Sequence, residues 1–147
     1  MRKILITNDD GITADGIVRL AKAAKKFGKV YVVAPDSQRS AMSHRITLRE
    51  HIDVRKYDFP VEDVEAYVST GTPADCVRFA LEGMQTTFDF VISGINRGLN
   101  LGIDVLYSGT LGAVFEAATF GLPALALSTK AGGFGEAMEA LEIIKDF

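Results

Sequence analysis

The most constraining feature of this sequence is the alternation of short apolar runs with segments of helical periodicity. Lys3–Thr7 and residues 30–34 are runs of β-branched and other apolar side chains, of a length typical of buried strands. Between them, residues 16–27 carry apolar side chains at helical spacing, and Gly28 follows as a stop signal. Such a strand–helix–strand unit pairs its two strands in parallel.

The same alternation continues to the end of the chain. It predicts strands at 66–69, 88–92 and 124–128, and helices at 75–84, 111–120 and 135–147. Thr72 and Pro73 read as the N-cap and first residue of a helix. Residues 46–59 are mixed and charged, which indicates a pair of short strands or an extended excursion. The order predicts a Rossmann-like three-layer α/β/α fold with a mostly parallel sheet.

Length and composition limit the classes of protein that this chain can represent. Its 147 residues, 48% hydrophobic and 24% charged, suit one soluble domain, and a net charge of -3 disfavours binding to a nucleic-acid polymer. One cysteine excludes an internal disulfide, and no apolar stretch is long enough for a signal peptide or a membrane span. We therefore expect a cytoplasmic protein without a membrane partner. Because the last helix reaches Phe147 without a stop signal, we expect a C-terminally truncated piece of a longer chain.

Polar side chains follow three of the predicted strands at the point where each strand ends. Asn8, Asp9 and Asp10 follow the first strand, residues 36–43 follow the second, and Asn96 follows the strand at 88–92. Ligands of open parallel sheets bind outside the carboxyl ends of the strands. These groups are therefore expected to converge on one edge of the sheet.

Asp9 and Asp10 are adjacent carboxylates, which repel each other unless a cation neutralises them. Carboxylate, amide and hydroxyl oxygens suit Mg²⁺ or Mn²⁺. Taken alone, the NDDG stretch is more typical of a plain turn that caps the next helix. The spacing does not fit an EF-hand loop, and neither a phosphate-binding P-loop nor a dinucleotide-binding GxGxxG motif is present.

Ser108, Gly109 and Thr110 lie where a helix begins. Backbone N–H groups and the helix dipole favour an anion such as phosphate at that position, although simple N-capping explains the residues as well. A metal site and an anion site on one sheet edge together indicate phosphoryl chemistry. We interpret His44 as a surface residue, Cys76 as a core residue, and Arg39 and Arg97 as phosphate-neutralising or solvated arginines.

Several longer motifs resemble one known family. They are ILITNDDGI (4–12), VVAPDSQRSAMSH (32–44), STGTPADCV (69–77), ISGINRGLNLGIDVLYSGTLGAVFEAA (92–118) and GLPALALS (121–128). In this order they resemble the SurE (survival protein E) family of 5′/3′-nucleotidases, also described as acid phosphatases, over nearly the whole chain. The resemblance implies that the chain is the Rossmann-like N-terminal core of such an enzyme.

The resemblance also implies site residues, a cofactor and partners. The metal, Mg²⁺ or Mn²⁺, would be held by Asp9, Asp10, Ser40 and Asn96, with Asp9 and Asp10 also catalytic. Substrate phosphate would be bound by Asn8, Ser108, Gly109 and Thr110. The substrates would be nucleoside 5′- and 3′-monophosphates, with short polyphosphate for some members, and the full-length protein would be a homodimer or homotetramer. Family members often have glycine after the ligand serine, where this chain has Ala41.

Two alternatives to a phosphatase stay open at this point. A non-catalytic nucleotide-binding module would keep the fold, although the intact ligand positions disfavour it. A nucleoside hydrolase also uses clustered Asp residues, but it would release a free base in place of phosphate. Within the phosphatase hypothesis, the attacking group is either a metal-activated water or an Asp carboxylate.

Overall fold

The computed structural model describes residues 1–146, which fold around a single six-stranded sheet. The strands are β1 (Lys3–Thr7), β2 (Lys29–Pro35), β3 (Val54–Lys56), β4 (Glu65–Ser69), β5 (Phe90–Arg97) and β6 (Ala124–Thr129). The α-helices are α1 (Asp15–Ala24), α2 (Pro73–Arg78), α3 (Asp104–Tyr107), α4 (Gly109–Thr119) and α5 (Phe134–Ala140). A π-helical turn, Phe79–Gly83, extends α2, and a 3₁₀ helix, Leu141–Asp146, follows α5.

The strand order in the sheet is β3-β4-β2-β1-β5-β6. All neighbouring strands pair in parallel except β3, which is antiparallel to β4 at the edge. The chain thus runs outward from β1 to β2 and β4, then returns to the other side of β1 with β5 and β6. The switch in direction lies between β1 and β5, where such folds open a crevice for ligands. The predicted Rossmann-like α/β fold is confirmed.

Two apolar cores lie on opposite faces of the sheet. Ile4 and Ile6 of β1 point to the face covered by α1 and α5, whereas Leu5 points to the face covered by α2 and α4. All three residues are fully buried. A strand buried on both faces needs apolar residues at successive positions, which explains the unbroken KILIT run.

The strand β5 extends further than the sequence indicates. The prediction ended it at Ile92, but the structure continues the strand through Arg97. Between Ser93 and Asn96, β5 has one residue more than the paired part of β6 and forms a bulge. The bulge accommodates Gly94 in the middle of the strand. Asn96 consequently lies in the last part of a strand and is not part of a glycine-rich loop.

Several other boundaries also differ from the prediction. Residues 46–59 contain one short strand, β3, because only this part pairs with β4. The short helix α3 precedes Ser108 in a stretch where no helix was predicted, and α4 begins at Gly109, before the predicted start at residue 111. The last predicted helix is divided between α5 and the 3₁₀ helix, and its final residue, Phe147, lies outside the described residues. In the described part of the chain, no helix is long and apolar enough to cross a membrane.

The predicted N-cap of α2 is confirmed, and its contribution to the stability of the fold can be tested. The Thr72 hydroxyl accepts from Asp75 N at 3.1 Å and donates to Arg45 O at 2.6 Å, while Asp75 accepts from Thr72 N at 2.8 Å. Thr72→Ala should lower the free energy of unfolding in urea by about 1–2 kcal/mol, because a buried cap is lost. Thr72→Ser keeps the hydroxyl and should lose clearly less. Equal stability of all three proteins would contradict this role of the cap.

Candidate metal and phosphate site

A cavity of about 220 Å³ lies at the carboxyl ends of β1 and β5. We call it the switch-point cavity, because it lies where the strand order changes direction. The predicted site residues that line it are Asp9, Asp10, Ser40, Asn96 and Ser108. These residues come from four separate segments of the chain, so the fold brings together all four predicted metal ligands and one residue of the predicted phosphate loop.

Asn8 builds the turn that presents the two carboxylates. Its side-chain nitrogen donates to Gly11 O at 2.8 Å, and its side-chain oxygen accepts from Gly11 N at 3.2 Å. Asn8 is buried and does not line the switch-point cavity. Its predicted contact with substrate stays a prediction, whereas its structural role is to close an Asx turn after β1.

Among the four predicted metal ligands Asp9 is the most deeply buried, with 7% of its surface exposed. Burial raises the pKa of its carboxyl above the ordinary 3.8, the hydrogen bond from Thr110 counteracts this rise, and the charge of Asp10 adds to it. The Thr110 hydroxyl donates to Asp9 Oδ1 at 2.9 Å. An ionised carboxylate in this position is therefore costly without a cation nearby.

Asp10 and Asn96 both line the switch-point cavity, and each has one hydrogen bond that holds it there. Asp10 Oδ2 accepts from Arg97 N at 3.2 Å, which ties the turn after β1 to the end of β5. The Asn96 side-chain nitrogen donates to Gly98 O at 2.9 Å. This bond occupies the nitrogen and leaves the amide oxygen as the group available to a ligand.

Ser40 is carried by the loop that follows β2. The preceding Arg39 N donates to Asp9 O at 2.7 Å, which fixes the start of this loop beside the turn after β1. The next residue, Ala41, has a φ of 55°, in the left-handed region that favours glycine. This conformation gives a physical reason for the glycine that the family resemblance leads us to expect at the position of Ala41.

The N-terminus of α4 closes the cavity on the other side. Ser108 is the N-cap of this 11-residue helix, and its hydroxyl oxygen accepts from Leu111 N at 3.3 Å. Gly109 packs so closely on the turn after β1 that an added Cβ would lie 3.1 Å from the Asp9 Cβ. Thr110 is fully buried and bonded to Asp9, so it supports the carboxylate, and its predicted contact with phosphate stays a prediction.

The side chains around the cavity fit a hard divalent cation. Asp9, Asp10, Ser40 and Asn96 each carry a side-chain oxygen, which is the ligand type that Mg²⁺ and Mn²⁺ prefer. Residues 1–146 hold no group of three or more His, Cys, Asp or Glu side chains arranged to bind a metal. A site rich in His and Cys, as zinc prefers, is therefore not found in the described part of the chain.

A larger cavity, of about 610 Å³, lies at the opposite edge of the sheet. Its only carboxylate is Glu65, which already accepts from the Tyr67 hydroxyl at 2.8 Å. It thus lacks the paired carboxylates and the helix N-terminus of the switch-point cavity. The candidate site is therefore identified by the side chains that line the switch-point cavity and not by the volume of the cavity.

The remaining candidates have structural surroundings of their own. Arg39 pairs with Asp36 at 3.0 Å, and Cys76 is fully buried, which raises the pKa of its thiol to about 12. His44 is exposed, as predicted, and its ring nitrogen lies 2.6 Å from the buried carboxylate of Glu116. Sequence reasoning missed Glu116 because nothing marks an acidic residue in an otherwise apolar helix as the partner of a distant loop.

The fold and the cavity together define a class, a Rossmann-like α/β protein with an oxygen-donor site beside a helix N-terminus at its topological switch point. The profile of the family described as "Survival protein SurE" matches residues 4–146. The chain therefore belongs to the SurE family.

Individual relatives agree with this assignment. A "5'-nucleotidase SurE" of Clostridium botulinum (strain Loch Maree / Type A3) is 52% identical over 128 residues, which are 86% of this chain and 50% of that protein. A "5'-nucleotidase SurE" of Thermosipho melanesiensis is 50% identical over 127 residues, 86% of this chain and 49% of that protein. The crystal structure of the SurE protein from Aquifex aeolicus matches with a TM-score of 0.83 and 38% identity, covering 98% of this chain and 59% of that one. The chain spans about half the length of the curated relatives it matches.

The buried carboxylate of Asp9 generates a prediction about pH and stability. A raised pKa means that the folded state binds the proton of Asp9 more tightly than the unfolded state does. The contribution of Asp9 to the free energy of unfolding therefore falls as the pH rises from 3.8 through the pKa of the folded state. Asp9→Asn removes this penalty and keeps an acceptor for Thr110. In EDTA at pH 7, the variant should have a higher free energy of unfolding in urea, and the difference should shrink towards pH 3.8.

A matched control for this test is Asp15→Asn. Asp15 is half-exposed and pairs with Arg19 at 2.7 Å, so its removal should not stabilise the protein. If Asp9→Asn destabilises the metal-free protein at pH 7, or if its effect grows on acidification, the burial argument for Asp9 is wrong.

Proposed function

We propose that this chain is the catalytic core of a divalent-metal-dependent phosphatase that hydrolyses nucleoside 5′- and 3′-monophosphates to nucleoside and phosphate. The observation that carries this proposal is the convergence of two carboxylates, an amide, a hydroxyl and a helix N-terminus on the switch-point cavity. The name of its relatives, 5′-nucleotidase, supports the 5′ substrates. Activity on 3′-monophosphates and short polyphosphate is proposed from the family resemblance.

Asp9, Asp10, Ser40 and Asn96 would hold Mg²⁺ or Mn²⁺, because all four line the cavity with oxygen atoms. When bound, such an ion neutralises the paired carboxylates, polarises a phosphoryl oxygen and lowers the pKa of water. The hydrogen bond from Thr110 fixes one oxygen of Asp9 and the backbone of Arg97 holds one of Asp10. These contacts preorganise the carboxylates before substrate arrives.

The N-terminus of α4 favours a negatively charged ligand, whereas the paired carboxylates favour a cation. Its first N–H groups lack partners within the helix, and its dipole favours an anion there. Ser108 uses an oxygen lone pair to cap Leu111, so its hydroxyl proton stays available to a phosphoryl oxygen. A phosphate between the carboxylate side and the helix side of the cavity would therefore have charge partners in both directions.

The group that attacks phosphorus is either a water molecule or a carboxylate of Asp9 or Asp10. Both routes need these two residues in the lining of the cavity, and both expel the nucleoside oxygen as the leaving group. The two routes differ in whether a phosphorylated aspartate forms.

A phosphate-release assay tests the proposal. Nucleoside 5′- and 3′-monophosphates and short polyphosphate are incubated with the purified protein in Mg²⁺, in Mn²⁺ and in EDTA. We expect release with either metal and none in EDTA. Asp9→Asn should lower kcat/KM by about 100-fold or more, because the ion contributes several kcal/mol of transition-state stabilisation and each 1.4 kcal/mol is about tenfold.

The controls separate this activity from the two alternatives. Asp15→Asn should leave kcat/KM within about twofold of the unaltered protein, because Asp15 is exposed and outside the switch-point cavity. Release of free base without phosphate would identify a nucleoside hydrolase. Binding of nucleotide and metal without turnover would identify a binding module.

The cytoplasmic location and the homodimeric or homotetrameric state stay predictions from the sequence. A single cysteine that is buried and unpaired is compatible with a reducing compartment. The expectation of no nucleic-acid and no membrane partner likewise rests on charge and composition.

A further inference from the structure

A cluster of three side chains around one buried carboxylate lies outside the switch-point cavity, beside the helix α4 that Ser108 caps. Its centre is Glu116, 3% exposed and about two helical turns along α4 from Ser108. Glu116 Oε2 accepts from His44 Nε2 at 2.6 Å, and Glu116 Oε1 accepts from Arg78 Nη1 at 3.1 Å. A buried carboxylate is tolerated only when it is paired in this way, so the cluster has a fixed geometry.

His44 lies four residues after Ser40, in the same loop. The loop is fixed at its start, where Arg39 N donates to Asp9 O at 2.7 Å. Beyond Ser40 it is fixed by Ser43, whose N donates to Tyr107 O at 3.0 Å and whose hydroxyl donates to Leu106 O at 2.8 Å. Ser40 therefore lies between two points at which the loop is held, Arg39 and Ser43. His44 follows the second point and bonds to Glu116 of α4.

The loop also rests directly on the backbone of α4. A Cβ added to Gly112 would lie 2.0 Å from Ser43 O, so this approach requires glycine. Gly112 N bonds to Ser108 O in the first turn of the same helix, at 2.9 Å. The contact between Ser43 and Gly112 thus couples the loop that carries Ser40 to the helix N-terminus.

The backbone of the loop does not favour this conformation by itself. Ala41 and Ser43 both have a positive φ, 55° and 51°, in the left-handed region that costs free energy for side chains with a Cβ. Such a conformation persists when the surroundings hold it. The hydrogen bond between His44 and Glu116 is a side-chain contact that holds the end of this segment on α4.

We propose that His44 and Glu116 form a positioning pair, which holds the loop on α4 and thereby fixes Ser40 against Asp9 and Asp10 for a divalent cation. This inference rests on the proposed function, since it assumes that the switch-point cavity binds a metal. Neither residue lines that cavity, so both act through the loop.

The test measures the dissociation constant of Mn²⁺, without substrate, by electron paramagnetic resonance of the purified protein. His44→Ala removes the donor to Glu116 and should raise the Kd about tenfold, as is typical when a residue that orients a metal ligand is lost. His44→Gln keeps a donor near the position of the ring Nε2, so its Kd should stay within about threefold of the unaltered protein.

Arg78→Gln is the matched control. It removes the guanidinium that pairs with Glu116, but Arg78 belongs to α2 and its side chain donates to Glu82 and Glu116, neither of which is on the loop. If Glu116 only stabilises the fold, His44→Ala and Arg78→Gln should weaken Mn²⁺ binding to the same extent. If it positions the loop, only His44→Ala should do so.

Each outcome decides one point. Tight Mn²⁺ binding by a folded His44→Ala protein, or equal weakening by Arg78→Gln, overturns the positioning role while the proposed function stands. Absence of Mn²⁺ binding by the unaltered protein overturns the proposed metal site and this inference with it. If His44→Ala does not fold, His44→Asn replaces it, because its amide is too short to reach Glu116 and it keeps a polar side chain on the exposed loop.

Discussion

The structure around the switch-point cavity depends on one buried charge, the carboxylate of Asp9. Two segments converge on this residue: the first turn of α4, through the Thr110 hydroxyl and the close approach of Gly109, and the loop after β2, through Arg39 N. Burial raises the pKa of Asp9, and the neighbouring Asp10 adds to the rise. The site is thus organised around a carboxylate whose ionised form is disfavoured until positive charge arrives, which is the electrostatic condition of a cation site.

Sheet topology explains why these segments meet. The turn after β1 and the end of β5 are neighbours only because the chain returns to the other side of β1 after building β2 and β4. Asp10 and Arg97 are 87 residues apart, yet one hydrogen bond joins them across this point. The loop after β2 and the N-terminus of α4 then close over the crevice between the two strands.

The sequence was sufficient for the features that depend on local pattern. Lys3–Thr7 matched the predicted strand, and Thr72 formed the predicted cap. The continuation of β5 through Gly94 was not predictable, because a glycine-rich segment resembles a loop and only its pairing with β6 makes it a strand. The contact of His44 with Glu116 joins residues 72 positions apart, and neither position carries a local signal for the other.

The site residues also differ in whether local pattern or distant contacts determine their positions. Asp9, Asp10 and Asn96 are placed by strand ends, so the fold itself sets their positions. Ser40 is on a loop with positive φ angles, whose place depends on side-chain and backbone contacts with α3 and α4. Asn8 and Thr110 share motifs with the candidate ligands but are used to shape the turn and to hold Asp9. A motif therefore identifies where the site is, whereas the contacts of each side chain determine which members face a ligand and which support those that do.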